Sequence, residues 1–279
     1  MAETVLLGAG DIRELAARHS VKPTKQRGQN FVIDPNTVRM ILSLAQVRED
    51  DVVVEVGPGL GSLTLGLLQT ASAVVAVEID EVLAAALPET IAERYPHGLH
   101  RLHVVTADAM RVQSLPVAPT SMVANLPYNV AVPVLLHFLE TFPSIERVLV
   151  MVQAEVADRL AADPGSRVFG VPSVKARWYA DVKRAASIGR KVFWPEPNVD
   201  SALVQLTRKP APQADRLKVF ALVDAGFAQR RKTLRSSLAG ALGGAAVAEE
   251  CLRRAQIDPG ARAEVLTVDD WVRLAQVCS

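Results

Sequence analysis

The first residues whose types and spacing suit chemistry form a glycine-rich stretch, Glu55-Val56-Gly57-Pro58-Gly59-Leu60-Gly61, at the end of the β-branched run Val52–Val56. Glycines between a strand and a helix let a ligand approach the backbone closely. A dinucleotide site would aim the amides of G-x-G-x-x-G at a pyrophosphate, but position 62 is Ser62 and Pro58 has no N–H to offer. No Gly-Lys-Ser/Thr follows, so the signature of a nucleotide phosphate loop is missing too. The turn suits a nucleoside that carries no phosphate. Glu78 ends the next apolar run, at an offset where an acid accepts hydrogen bonds from ribose hydroxyls. Asp108 ends a third run, where a carboxylate can meet an adenine amine. One such acid alone is most simply a solvated strand end. Gly57, Gly59, Glu78 and Asp108 in this order point to a nucleoside site.

A fourth run ends in Asn125-Leu126-Pro127-Tyr128. This tetrapeptide resembles the signature of the amino-methyltransferases, and the resemblance implies S-adenosylmethionine as the nucleoside. The residue types fit that chemistry. An adenine amine is a poor nucleophile because its lone pair delocalises into the ring. The Asn125 side-chain oxygen and a neighbouring backbone carbonyl, with Leu126 next in line, can accept both amine hydrogens and aim the lone pair at the sulfonium methyl. Pro127 stiffens the turn, and Tyr128 offers a face for an extruded base. No base need act first, because the sulfonium is already an activated donor. Phe193-Trp194-Pro195-Glu196-Pro197-Asn198-Val199-Asp200-Ser201 resembles the loop that supplies a second aromatic face in such enzymes. Phe193 is the candidate there, with a plain core phenylalanine as the competing reading. The catalytic candidates are thus Asn125, Leu126, Tyr128 and Phe193.

These residues need a scaffold that carries them to one edge. Short apolar runs at Val52–Val56, Val74–Ile79, Leu102–Thr106, Ser121–Asn125 and Arg147–Val152 alternate with helical periodicity at Leu60–Leu68, Val82–Tyr95, Val132–Phe142 and Val156–Ala162. Buried strands alternating with helices predict an α/β fold, a Rossmann-like parallel sheet covered on both faces. Two β-like stretches, Ala185–Ile188 and Ala202–Leu206, can complete the sheet. Lys209-Pro210-Ala211-Pro212 then breaks the pattern. Only helical signals follow, at Leu217–Phe227, Lys232–Leu242, Ala246–Ala255 and Thr267–Val277. The expected division is a methyltransferase domain over residues 1–208 and a small all-helical domain over 209–279.

Bulk properties exclude other classes. Nearly half of the 279 residues are apolar and 22% are charged, which is ordinary for a globular protein. No apolar run approaches a membrane span and no secretory pattern opens the chain, so a cytoplasmic address is expected. Cys251 and Cys278 lack CxxC spacing or neighbouring histidines, and no metal is expected. Lys and Arg outnumber acids before residue 31 and after residue 204, while acids lead between. Basic flanks around an acidic middle suit a polyanionic partner.

Several further motifs carry a specific resemblance. Lys25-Gln26-Arg27-Gly28-Gln29-Asn30-Phe31-Val32, Gln153–Leu160, Asn198–Ser201 and Phe227–Arg235, in this order, are similar to elements of the ribosomal RNA adenine dimethyltransferases. The resemblance implies two methyl transfers to each of two adjacent adenosines near the 3′ end of 16S rRNA, within an immature small ribosomal subunit. It implies cofactor contacts from Asn30, Val32, Gly57, Glu78, Asp108 and Asn125, with a monomer as the working unit. Arg230, Arg231, Lys232 and Arg235 are the candidate RNA-docking residues, read as one helical patch. Two alternatives stay open: a resistance-type methyltransferase of large-subunit rRNA, and a non-catalytic nucleic-acid-binding factor of the same fold.

Overall fold

The computed structural model describes residues 5–23 and 29–278, so Lys25, Gln26, Arg27 and Gly28 lie outside the described residues. In chain order it runs α1 (Ala9–Arg18), β1 (Phe31–Val32), α2 (Pro35–Ala45), β2 (Val52–Val56), α3 (Ser62–Leu67), β3 (Ala73–Glu78), α4 (Glu81–Arg94), β4 (Leu102–Thr106), β5 (Ser121–Asn125) and α5 (Ala131–Thr141). It continues through β6 (Arg147–Gln153), α6 (Ala154–Ala161), α7 (Val171–Tyr179), β7 (Ala180–Ile188), β8 (Phe193–Trp194) and β9 (Ser201–Arg208). Last come α8 (Arg216–Ala228), α9 (Leu234–Ser237), α10 (Ala245–Arg254) and α11 (Val268–Val277).

Seven strands form one sheet in the order β4-β3-β2-β5-β6-β9-β7. From β4 to β6 the neighbours are parallel, whereas β6 and β9 are antiparallel. Both faces of β2 and β3 are covered, which is why these strands read as apolar runs, interrupted in β2 by Glu55 and ended in β3 by Glu78. The chain winds outward from β2 in one direction to β3 and β4, and in the other to β5 and β6. Such a switch point opens a crevice beyond the carboxyl ends of the strands. The loops after β2, β3, β4 and β5 carry the sequence candidates to that crevice.

Side-chain caps set several helix starts. Asp34 accepts from the Asn36 and Thr37 amides, Asp80 from Val82 and Leu83, and Asp215 from Leu217 and Lys218. Thr267 caps α11 and Asp270 answers it, closing a capping box.

The described residues of Met1–Ala157 and Lys183–Arg208 form one compact unit, and those of Asp158–Val182 and Lys209–Ser279 a second. The proline-rich stretch at 209–212 therefore marks only one of the crossings. Residues 158–182 join the helical unit because their aromatics pack there: Phe169 meets Phe227, and Trp178 meets Phe220 edge-on at 5.6 Å. Trp271 is fully buried in the same unit, its ring pressed on Gly226, where a Cβ would lie 2.4 Å away. Helices α1, α2 and α7 have no counterpart among the sequence expectations. The expected helix over Lys232–Leu242 shrinks to α9, preceded by a turn at 229–232.

Candidate active site

The glycine-rich loop takes backbone angles that side chains avoid. Gly57, Gly59 and Gly61 have φ of 71°, 57° and 94°. Gly59 also faces a close neighbour, since a Cβ there would stand 2.7 Å from the Phe31 ring. Strand β1 thus lies directly on the loop. The Ser62 hydroxyl holds it by donating to the Val32 carbonyl at 2.7 Å. The residue that argued against a dinucleotide therefore has a positive task, fastening β1.

Glu78 is buried at the end of β3. Its Oε2 accepts from the Gly59 amide at 3.3 Å and its Oε1 from the Asp80 amide at 3.0 Å. Burial raises its carboxyl above the ordinary range. A carboxylate offers about four lone-pair directions, so acceptor capacity remains for ligand hydroxyls. Asp108 accepts from the Met110 amide at 2.9 Å and pairs loosely with Arg111 at 3.5 Å. The fold brings Asn30, Val32, Gly57, Gly59, Glu78, Asp108 and Asn125 to the wall of one cavity of about 820 Å³.

The electrostatics of that wall favour a cation. Glu78, Asp80, Glu81 and Asp108 line it, together with Glu55, which burial keeps protonated at neutral pH, against Lys22 as the one lysine or arginine among the described lining residues. A sulfonium bearing an ammonium group fits such a wall, whereas a pyrophosphate does not. Glu55 escaped the sequence reading. It is buried, takes a 2.6 Å bond from the Thr64 hydroxyl, and is pushed up to about 8 by burial. The available signal was a lone acid inside a β-branched strand run, since an unpaired buried acid is costly.

Asn125 closes β5 beside this cavity. Its Nδ2 donates to the Asn30 carbonyl at 2.9 Å, which orients the amide and leaves Oδ1 with acceptor capacity. Leu126 is buried, and its N–H donates to the Met151 carbonyl at 3.1 Å, fixing the turn. Gly57 lies against Pro127, so the loop after β2 and the turn after β5 are neighbours. Tyr128 is half-buried and its hydroxyl meets Ser201 Oγ at 2.6 Å. Of the two readings of Phe193, its burial agrees with the core one. It is 2% exposed, pairs with Val32 across the β1–β8 ribbon and belongs to the hydrophobic core, so it presents no free ring face. Trp194 beside it is less buried and stacks on Phe31 with 6.3 Å between ring centres.

The sequence profile of the ribosomal RNA adenine dimethylase family matches residues 21–279. The chain belongs to this family. A protein named ribosomal RNA small subunit methyltransferase A from Streptomyces avermitilis is 67% identical over 279 residues, spanning 99% of this chain and 95% of the relative. Among solved structures, a dimethyladenosine transferase from Plasmodium falciparum superposes with a TM-score of 0.75 at 22% identity, covering 86% of this chain and 94% of that one. The 23S rRNA methyltransferase ErmE gives 0.66 at 27% identity, covering 89% and 99%. This dimethylase is an S-adenosylmethionine-dependent enzyme acting on rRNA.

The candidate docking residues of this adenine dimethylase lie in the helical unit, but not as one helical patch. Arg230, Arg231 and Lys232 sit in the turn before α9, and Arg235 lies on α9. Arg230 pairs with Glu264 at 3.2 Å and also donates to the Arg167 carbonyl, while Arg235 pairs with Glu249 at 3.1 Å. The local run lacks balancing acids, yet α10 and the 263–265 turn bring them in. Arg231 and Lys232 are exposed and make no ion pair among the described residues. No helix among the described residues is long and apolar enough to cross a membrane, and no cluster of potential metal ligands occurs among them.

Proposed function

We propose that this enzyme transfers two methyl groups to each of two adjacent adenosines near the 3′ end of 16S rRNA. The substrate is an immature small ribosomal subunit, and the enzyme works as a cytoplasmic monomer. The observation that carries the chemistry is the bond from Asn125 Nδ2 to the Asn30 carbonyl, which orients the amide oxygen as an acceptor at the edge of an acid-lined cavity. The substrate assignment rests on full-length similarity to a relative named for the small subunit.

Bound S-adenosylmethionine supplies an electrophilic methyl on a sulfonium. Glu78 would accept from its ribose hydroxyls and Asp108 from its adenine amine, with Asn30, Val32, Gly57, Gly59 and Asn125 completing the wall that would hold it. Asn125 Oδ1 and the Leu126 carbonyl would accept hydrogen bonds from the target amine, two in the first transfer and the one remaining in the second, drawing its lone pair out of the ring; each transfer breaks the bond from sulfonium to methyl, and the amine's displaced proton leaves to water. The target base stacks on Tyr128, and Phe193 supports the β1–β8 ribbon from within the core. Arg231 and Lys232, with the partly neutralised Arg230 and Arg235, contact phosphate.

The test is to incubate the enzyme with labelled methyl donor and immature small subunits, large subunits or DNA. Label is expected in small subunits, recovered as dimethyladenosine from two adjacent positions. Label in large subunits would move the enzyme to the resistance-type branch, and label in none would leave a binding factor.

A further inference from the structure

We propose that Ser201 is a positioning residue for methyl transfer: it fixes the ring of Tyr128 on which the target adenine stacks. The proposal rests on the stacking role given to Tyr128 above. Ser201 opens β9 and is fully buried. Its backbone is held on two sides. The β6–β9 ladder places it opposite Gln153, and the preceding Asp200 carbonyl accepts from the Ala154 amide at 2.9 Å. From this fixed point its Oγ lies 2.6 Å from the Tyr128 hydroxyl.

Tyr128 is therefore fastened at both ends. Its main chain belongs to the turn that the Leu126 amide ties to Met151, and its para oxygen is tied to Ser201. A tyrosine side chain has two soft torsions; the phenol oxygen lies on the axis of the second, so the bond to Ser201 removes the swing about the first and fixes where the ring sits, while its tilt is left to packing. A stacking face already in place spares the complex the ordering cost when the base arrives. It also sets the amine nitrogen relative to Asn125, where small displacements cost rate steeply. The bond accounts for the residue type as well. A phenylalanine would stack equally well, so the hydroxyl is useful only if something holds it.

The competing account is that the pair merely satisfies two buried hydroxyls. Four variants separate the two: Ser201→Ala, Tyr128→Phe, the double variant and Tyr128→Ala. Each is assayed on small subunits, for S-adenosylmethionine binding by calorimetry, and for thermal stability. Ser201→Ala is expected to lower kcat about 3- to 10-fold, the span of one neutral hydrogen bond, with cofactor affinity unchanged. Tyr128→Phe breaks the same bond from the other side and should match it, which keeps the test valid if Ser201→Ala folds poorly. The double variant should be no slower than either single one. Additive losses, full kcat in Ser201→Ala, or a loss that follows melting temperature and cofactor affinity together would overturn the proposal. Tyr128→Ala tests the stacking role itself. If it turns over normally, that role fails. If it is crippled while Ser201→Ala is not, only the positioning of Tyr128 by Ser201 fails.

Discussion

At the residue scale, the site divides between holding the cofactor and shaping the amine. Asn125→Ala removes the oriented acceptor and should slow methyl transfer roughly 100- to 1000-fold, with cofactor affinity by calorimetry falling much less. Near-normal turnover would refute the mechanism. Glu78→Ala acts on the other half. Loss of a charged acceptor costs about 1.5–3 kcal/mol, so cofactor affinity should drop, and unchanged titration would reduce Glu78 to a strand-end acid. Glu55 adds a pH signature. Its carboxyl rises to about 8 in the fold from an ordinary 4.5, because burial penalises the charge. Between those values the folded protein keeps a proton that the unfolded chain has released. The Glu55 contribution to stability therefore falls as pH rises through this window and levels off above about 8. Glu55→Gln, which cannot ionise, should gain stability relative to the parent between pH 5 and pH 8. A constant offset in melting temperature across that range would show that Glu55 does not titrate there.

At the element scale, the two-residue strand β1 does much of the positioning. It lies on the Gly57–Gly61 loop through Phe31, is fastened by Ser62 and pairs with β8, and Asn30 just before it lends its carbonyl to Asn125. One short strand thus joins the cofactor wall to the reactive turn and to the loop ending in Ser201. Gly59→Ala should disturb all of it. The new Cβ meets the Phe31 ring at 2.7 Å, and the backbone sits at φ 57°. Left-handed backbone costs a non-glycine residue about 1–2 kcal/mol, and overpacking about 1–3 kcal/mol more. A lower melting temperature together with weaker cofactor binding is expected. A stable variant with full affinity would mean that β1 lifts away freely.

At the scale of the whole molecule, the acid-lined cavity and the basic turn belong to separate compact units. Replacing Arg231 and Lys232 with Ala should leave cofactor binding unchanged and weaken subunit binding. The slope of log K against log salt should flatten by roughly 0.7–0.9 per lost phosphate contact. Replacing Arg230 and Arg235 should change the slope less, since each already has a carboxylate beside it. Equal effects from the two pairs would contradict that ranking.

The sequence by itself determined the strands of the seven-stranded sheet and the glycine loop, and it set Glu78, Asp108 and the Asn125–Tyr128 turn at or just beyond strand ends. Each is announced locally, by a run of β-branched residues, a backbone angle only glycine takes easily, or a polar residue where a strand must end. The tertiary structure alone decided what depends on partners distant along the chain. Phe193 fell into the core because Val32 and its neighbours cover it. Arg230 and Arg235 were neutralised by acids from later segments. Residues 158–182 went to the helical unit because their aromatics found α8. The bonds from Asn125 to Asn30 and from Tyr128 to Ser201 span 95 and 73 residues of chain. Local periodicity carries no information over such distances, because the geometry of these pairs exists only once the sheet has assembled.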